Sequence, residues 1–494
     1  SLTGGNQSLA SSNFISSMPQ FEDATNNTLA NRDYNLSISW SDAIDAVNSS
    51  YAPEDDVLGT YRPQGQNYDI GAYELRNSWT GSTNTDWNTS ANWSNGIVPT
   101  SGRSPVISNV TNQPVISNLN VNLKDITINS GAELTINKDA SLFLSGDFIN
   151  NSGTVNLNSD SNEFSSLIIK GTSTGNIIYN RYVNSVGTDK WDLIGSPVDG
   201  LSISSFATTN TSPLATGGGS ESNQYAIGYY DNSQSSVDAA WTNYTTSTIG
   251  SVGDFDIGKG YQMGTDSGAT MAFEGTISSS DESQSIINNS GSSGYRWNLI
   301  ANPYPSFLSA NDDTSNGSNN FLTVNTSVID SNYLGIYGYN DDGAGYTSYG
   351  QDYNDNDTPV YIAPGQGFMI AANSSNSADI DFTLAMQTTT GTDDFIAGDI
   401  EVPLKITLHI YNDDLFIEDT HIKFKHDKSL GLDPGYDLGN FYQDAGITTR
   451  LVEGDEGVNF ERQQLPIEAL DNTIIPLVIN QSAGQEFKVN LHTS

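Results

Sequence analysis

Trp191-Asp192-Leu193-Ile194-Gly195-Ser196-Pro197 returns 106 residues later as Trp297-Asn298-Leu299-Ile300-Ala301-Asn302-Pro303. Three further phrases follow in the same order. Gly228-Tyr229-Tyr230-Asp231 matches Gly338-Tyr339-Asn340-Asp341, and Trp241-Thr242-Asn243-Tyr244 matches Tyr346-Thr347-Ser348-Tyr349. Gly258-Lys259-Gly260-Tyr261-Gln262-Met263 matches Gly365-Gln366-Gly367-Phe368-Met369. The distance from the Trp to the Gly is 67 residues in the first copy and 68 in the second. Four ordered matches at that spacing mark an internal duplication. Short apolar runs with aromatic anchors, bounded by Gly, Asn and Asp, read as one β-sandwich-like module per copy. The copies are placed at residues 184–290 and 291–392. Such repetition suits stalks and arrays more than active sites.

The same run-and-turn pattern extends over the whole chain, so the fold class read from the sequence is all-β. Charged residues are only 15% of the 494, while 24 Tyr, 18 Phe and 7 Trp suffice to build cores, which sets the chain apart from disordered sequences. The formal net charge of −40 opposes binding to nucleic acid and to anionic membrane surfaces. Those acids are scattered, which suits either cation binding or simple solubility of a large surface. Absence of cysteine excludes disulfides, thiol nucleophiles and thiolate metal sites. No run approaches the roughly 18 apolar residues of a membrane-spanning helix. The opening at Ser1, without Met or a leader pattern, reads as a mature or clipped fragment.

Before the duplication, residues 76–183 carry short apolar triplets: Ile126-Thr127-Ile128, Leu134-Thr135-Ile136, Leu142-Phe143-Leu144, Val155-Asn156-Leu157 and Leu167-Ile168-Ile169. Their spacing starts at eight residues, as in a small β-solenoid or a meander packed into a sandwich. Residues 1–75 contain Gly59-Thr60-Tyr61-Arg62-Pro63-Gln64-Gly65 and then Tyr68-Asp69-Ile70-Gly71-Ala72-Tyr73-Glu74. This order resembles the Arg-Pro…Asp-Ile-Gly-Ala-Tyr-Glu signature that closes right-handed parallel β-helices in bacterial surface proteins. The resemblance implies the last rungs and cap of such a helix. Enzymes and adhesins share that end piece, so it implies architecture and not chemistry.

Residues 393–494 give a last β-sandwich. Leu404, Ile406, Leu408 and Ile410 alternate with Lys405, Thr407 and His409, the pattern of a half-buried strand. Further strands are expected at Ile417–Phe424, Gly457–Phe460, Ile474–Ile479 and Glu486–Leu491. The phrases Trp297-Asn298-Leu299-Ile300-Ala301-Asn302-Pro303-Tyr304-Pro305, Ala363-Pro364-Gly365-Gln366-Gly367-Phe368 and Leu430-Gly431-Leu432-Asp433-Pro434-Gly435-Tyr436-Asp437 carry a second resemblance. It is to the C-terminal region of flavobacterial (Bacteroidetes) cell-surface and secreted proteins exported by type IX secretion. That resemblance implies an extracellular location, the type IX translocon and surface-attachment machinery as partners, and a sorting domain beyond this point.

Chemistry is sparse. The four histidines, His409, His421, His426 and His492, form no metal-binding motif and read as solvated surface residues, so zinc is excluded. Gly171-Thr172-Ser173-Thr174-Gly175 has the letters of a nucleophile elbow but is followed by another strand, not a helix. No catalytic residue is nominated. Calcium is the one cofactor considered: Asp341, Asp342, Asp352, Asn354, Asp355 and Asp357 could supply the six to eight oxygens it takes. Asp433 and Asp437 are a lesser candidate, and the plain alternative for both loops is a solvated turn. Trp79, Trp87 and Trp93 could form a sugar-stacking platform or plug the end of a solenoid core, and Trp241 could also stack on a sugar.

The reading of function is a non-catalytic extracellular surface protein, adhesin-like, acting in display, attachment or stalk formation, with glycans or other cells as targets. Unpaired edge strands would also suit self-assembly. The alternative is the non-catalytic tail, or a carbohydrate-binding region, of a secreted β-helix enzyme that degrades polysaccharide.

Overall fold

In the computed structural model the chain is mostly strand (42%) with few helices, and the all-β class holds. The structure describes residues 21–23, 33–36, 43–46 and most of 53–493. Within that last span, 187–190, 218–222, 290–294, 312–316, 341–344, 350–358, 392–404 and some shorter stretches lie outside the description. Among the described residues no helix is long and apolar enough to cross a membrane. The chain divides into two compact units. One comprises 1–136, 140–155 and 169–175, and the other 137–139, 156–168 and 176–494.

The first unit is a parallel β-solenoid. Ser78–Trp79, Val106–Ile107, Ile126–Ile128, Phe148–Asn150 and Ser173–Thr174 stack as one five-stranded parallel sheet. Val121 lies beside Leu142 and Ile116 beside Ile136, again in parallel. Partners are therefore about 21 residues apart, one rung of three short sides. The eight-residue spacing of the sequence is the step from one side of a rung to the next. Alternation then sends Ile126, Ile128, Leu134, Ile136, Leu142, Leu144 and Phe148 inward, each fully buried, at about 1.5–3 kcal/mol of burial per side chain. Corners are pinned by a ladder of carboxylates. Asp125 Oδ1 accepts from the Asp147 amide and Asp147 Oδ1 from the Thr172 amide, both at 2.7 Å.

The second unit contains the duplication, and its strands pair identically in both copies. Copy A forms a sheet from Asp192–Ile194, Tyr261–Met263, Gln224–Tyr230 and Trp241–Thr245, adjacent in that order. Copy B forms one from Trp297–Ala301, Gly367–Ala371, Ile336–Asn340 and Gly345–Tyr349, again in that order. By chain order both are first–fourth–second–third. A flanking pair recurs too: Asn176–Val183 with Ala269–Thr276, and Glu282–Ile286 with Ala378–Phe382, both antiparallel. As folded, the repeat thus runs from Asn176 to Thr276 and from Glu282 to Phe382. Asn176–Val183 also pairs in parallel with Asn156–Asn158, so this strand has a parallel neighbour on one edge and an antiparallel one on the other within one sheet.

The copies meet about a pseudo-twofold axis. Ile194 bridges Gln366, and reciprocally Lys259 bridges Ile300; Ile194 and Ile300 are equivalent, as are Lys259 and Gln366. This i-to-j, j-to-i pattern is that of an isologous dimer, here within one chain.

A short helix in each copy, Ile203–Thr209 and Phe321–Val324, is tied to the sheet in the same way. Asn210 Nδ2 donates to the Phe206 and Ala272 carbonyls, while its Oδ1 accepts from the Ala272 amide. Asn325 repeats this with Phe321 and Asp381. Each asparagine thereby satisfies helix and strand backbone groups that burial would otherwise leave costly.

The C-terminal part is a seven-stranded sheet. Its path runs Leu477–Ile479, Ile447–Thr449, Phe460–Pro466, Leu415–Lys425, Lys405–Asn412, Lys488–Thr493, with Leu438–Gly439 also on Phe460–Pro466. Leu408 and Ile410 face a core shared with Ile422, Phe424, Ile447 and Leu465. Leu404 lies outside the described residues.

Candidate functional site

The Arg62…Glu74 signature folds into a cap held by its own polar groups. Glu74 accepts from the Gln64 amide (2.8 Å) and the Asp69 amide (3.1 Å); Asp69 accepts from Asp45 (2.8 Å) and Leu75 (2.7 Å). Arg62 donates to the Gly71 carbonyl at 2.8 Å and faces Glu74 at 3.6 Å. Burial outweighs these contacts and pushes the Glu74 carboxyl up to about 7. A Cβ at Gly65 would stand 2.1 Å from Asp45 Oδ1, so any side chain there would have to displace the Asp45 carboxylate. Gln64 Oε1 then accepts from the Ser104 amide, docking the cap on the solenoid. The signature is spent on structure.

Trp79, Trp87 and Trp93 are 1%, 1% and 2% exposed. Their rings pack on one another at 4.7–6.4 Å between centroids. Trp79 Nε1 donates to Asn112 and Trp93 Nε1 to Trp87, both to carbonyls. This is the plug arrangement: the sugar-stacking expectation meets no open indole face, because the rings cover each other.

Asp341, Asp342, Asp352, Asn354, Asp355 and Asp357, the calcium candidates, lie outside the described residues. Among the described residues no group of three or more His, Asp or Glu is arranged to hold a metal ion. Asp437, fully buried, accepts from the Asp433 and Gln464 amides at 2.7 Å, and burial raises its carboxyl to about 7. Asp433 accepts from Ser429. Both carboxylates serve backbone donors. Of the histidines, His421 departs from the solvated reading: it is 9% exposed, because register sets it against Thr407 on a covered face. Its Nε2 and that of His409 approach the Asp419 carboxylate at 3.4 and 3.5 Å. His426 lies outside the described residues.

The feature that separates the two copies is the outer face of their sheets. In copy B this face is apolar, with Trp297, Leu299, Tyr337, Met369 and Ala371 buried in one cluster with Phe441, a cluster that Leu193 of copy A joins and against which Tyr230 and Trp241 pack. Phe441 stacks on Trp297 at 4.3 Å, and Tyr337 Oη donates to the Gly439 carbonyl at 2.8 Å. The C-terminal sheet therefore docks on copy B. In copy A the register pairs Gly228 with Gln262 and Asn243, where copy B pairs Tyr337 with Met369 and Ser348. Tyr337 thus corresponds to Gly228, Met369 to Gln262 and Ser348 to Asn243. Matching Gly228 to Gly338 by letter was one residue out, a slip that would turn the strand over.

On copy A, Gln262 Nε2 donates to Asn243 Oδ1 at 2.5 Å directly above Gly228. Half-buried Tyr230 and Trp241 adjoin on the same face, in edge contact at 4.8 Å. Burial and the neighbouring Tyr442 and Asp231 push the Tyr230 hydroxyl up. Of this face the sequence points to Trp241; the amide pair depends on a cross-strand register that letters do not carry.

Fold and site together define a modular all-β protein, a parallel solenoid in one unit and a duplicated β module with a C-terminal sheet in the other. The chain belongs to the family described as Domain of unknown function (DUF8693), whose model matches residues 78–494. That match begins after the Arg62…Glu74 cap. No curated protein and no solved structure matches the chain.

Proposed function

We propose that this is a non-catalytic extracellular surface protein, exported by type IX secretion and acting in display, attachment or stalk formation. The observation that carries the reading is the backbone lock between the two copies. Reciprocal bridges across the pseudo-twofold axis join the two modules backbone to backbone, which suits a load-bearing or presenting element. The polar clusters of the described residues support it as well. Carboxylates at Asp69, Glu74, Asp433 and Asp437 are committed to backbone amides, a structural use of charge. Calcium held by Asp341, Asp342, Asp352, Asn354, Asp355 and Asp357 is part of this proposal as a stiffening ion. Deleting the coding sequence in the parent bacterium and measuring cell attachment under flow tests the role. Reduced attachment, restored by complementation, is the expected result. Unchanged attachment together with an unchanged cell surface would overturn it.

A further inference from the structure

We infer that the outer face of copy A, formed by Gly228, Tyr230, Trp241, Asn243 and Gln262, binds a neutral glycan. The inference rests on the attachment reading and names the class of target.

The argument begins with the comparison inside the chain. Two sheets of identical strand order present equivalent outer faces, and copy B closes its face with an apolar dock. At the same positions copy A replaces Tyr337 by glycine and Met369 by glutamine. A Cβ on Gly228 would meet Asn243 Oδ1 at 2.4 Å and Gln262 Nε2 at 2.9 Å. The glycine therefore lets the two amides lie flat on the sheet, side by side.

Their hydrogen bond fixes their outward chemistry. With Gln262 Nε2 donating to Asn243 Oδ1, Asn243 Nδ2 and Gln262 Oε1 have no hydrogen-bond partner among the described residues. A donor beside an acceptor on a rigid floor is complementary to two neighbouring hydroxyls, one accepting and the next donating. Next to them Trp241, braced by Tyr230 and packed with it against the copy B cluster, keeps only part of its indole exposed, a surface of the kind that stacks on the C–H face of a sugar ring. An apolar platform with a few fixed polar groups is the usual build of a small-ligand site. Charge selects within the class: at −40 the chain repels sulfated and uronic polymers, leaving neutral sugars.

Copy B supplies the variants that test this without disturbing the fold. Gln262→Met and Asn243→Ser put its residues into copy A. The intact chain is titrated by tryptophan fluorescence and affinity electrophoresis with four neutral hexasaccharides: β-1,4-glucose, β-1,3-glucose, β-1,4-mannose and β-1,4-N-acetylglucosamine. At least one should bind, and the double variant should weaken it by about tenfold or more with an unchanged unfolding midpoint. Trp241→Ala should abolish it. Absence of binding by all four, or equal binding by the double variant, overturns the site. Either failure leaves the attachment reading to its own assay on cells, so the two are distinguishable.

Discussion

Gly195 and Ala301 hold equivalent places in the two copies, and each reaches across to the other copy in the same way. The Gly195 amide donates to the Gly365 carbonyl and the Ala301 amide to the Gly258 carbonyl, both at 2.9 Å. A Cβ on Gly195 would lie 2.4 Å from that of Ala301 and 2.6 Å from the Lys259 carbonyl oxygen. The pseudo-twofold axis passes between them, and the copies approach as closely as backbone allows.

Gly195→Ala should therefore force the copies apart. The overpacking should cost about 1–3 kcal/mol, read as a lowered denaturant midpoint. Adding Ala301→Gly should restore only part of the loss, because the Lys259 carbonyl remains in the way. Wild-type stability in the single variant would contradict this packing.

Asn210 and Asn325 should behave as a matched pair. Replacing either by Leu leaves buried helix and strand groups unpaired, at about 2–3 kcal/mol, measured by urea unfolding. Similar losses at both positions are expected; a loss at one alone would mean that the copies are not energetically equivalent.

Trp87→Ala should destabilise the solenoid by about 3–5 kcal/mol, as expected for removing a large ring from a core. The same variant should leave glycan binding by the chain intact. Retained stability with lost binding would return the tryptophans to a sugar platform.

Acid should stabilise the folded chain within a defined window. Glu74 and Asp437 rise from 4.5 and 3.8 to about 7, chiefly through burial. Between about pH 4 and 7 the folded state then holds protons that the unfolded state has released, so stability falls as pH rises through that range. Glu74→Gln should flatten part of the slope in thermal unfolding followed from pH 4 to pH 8. A slope of the opposite sign would contradict the burial argument.

Calcium should raise the unfolding midpoint relative to chelator, and Asp352→Asn with Asp355→Asn should remove the rise. Equal midpoints in calcium and chelator would remove calcium from the account.

Much of this architecture was legible in the letters. The Trp191 and Trp297 phrases declared the duplication, and the triplets of residues 126–144 declared short inward-facing sides. Which kind of stack they formed was not legible, since an eight-residue step suits both a meander and one side of a three-sided rung. The outer-face chemistry was hidden for a related reason: Gly228 and Gly338 match by letter, yet pairing sets Gly228 against Tyr337. Phe206-Ala207-Thr208-Thr209-Asn210-Thr211 returns as Phe321-Leu322-Thr323-Val324-Asn325-Thr326, and it carries the asparagine that ties helix to strand in each copy.

Surface display is the claim on which the functional account stands, and protease accessibility on intact cells tests it most directly. Cells of the parent bacterium would be treated with a protease too large to enter, then probed with antibody to residues 176–494. Loss of the full-length band, with a cytoplasmic marker untouched, is the result the account predicts. A band that survives on intact cells and disappears only after lysis would contradict it.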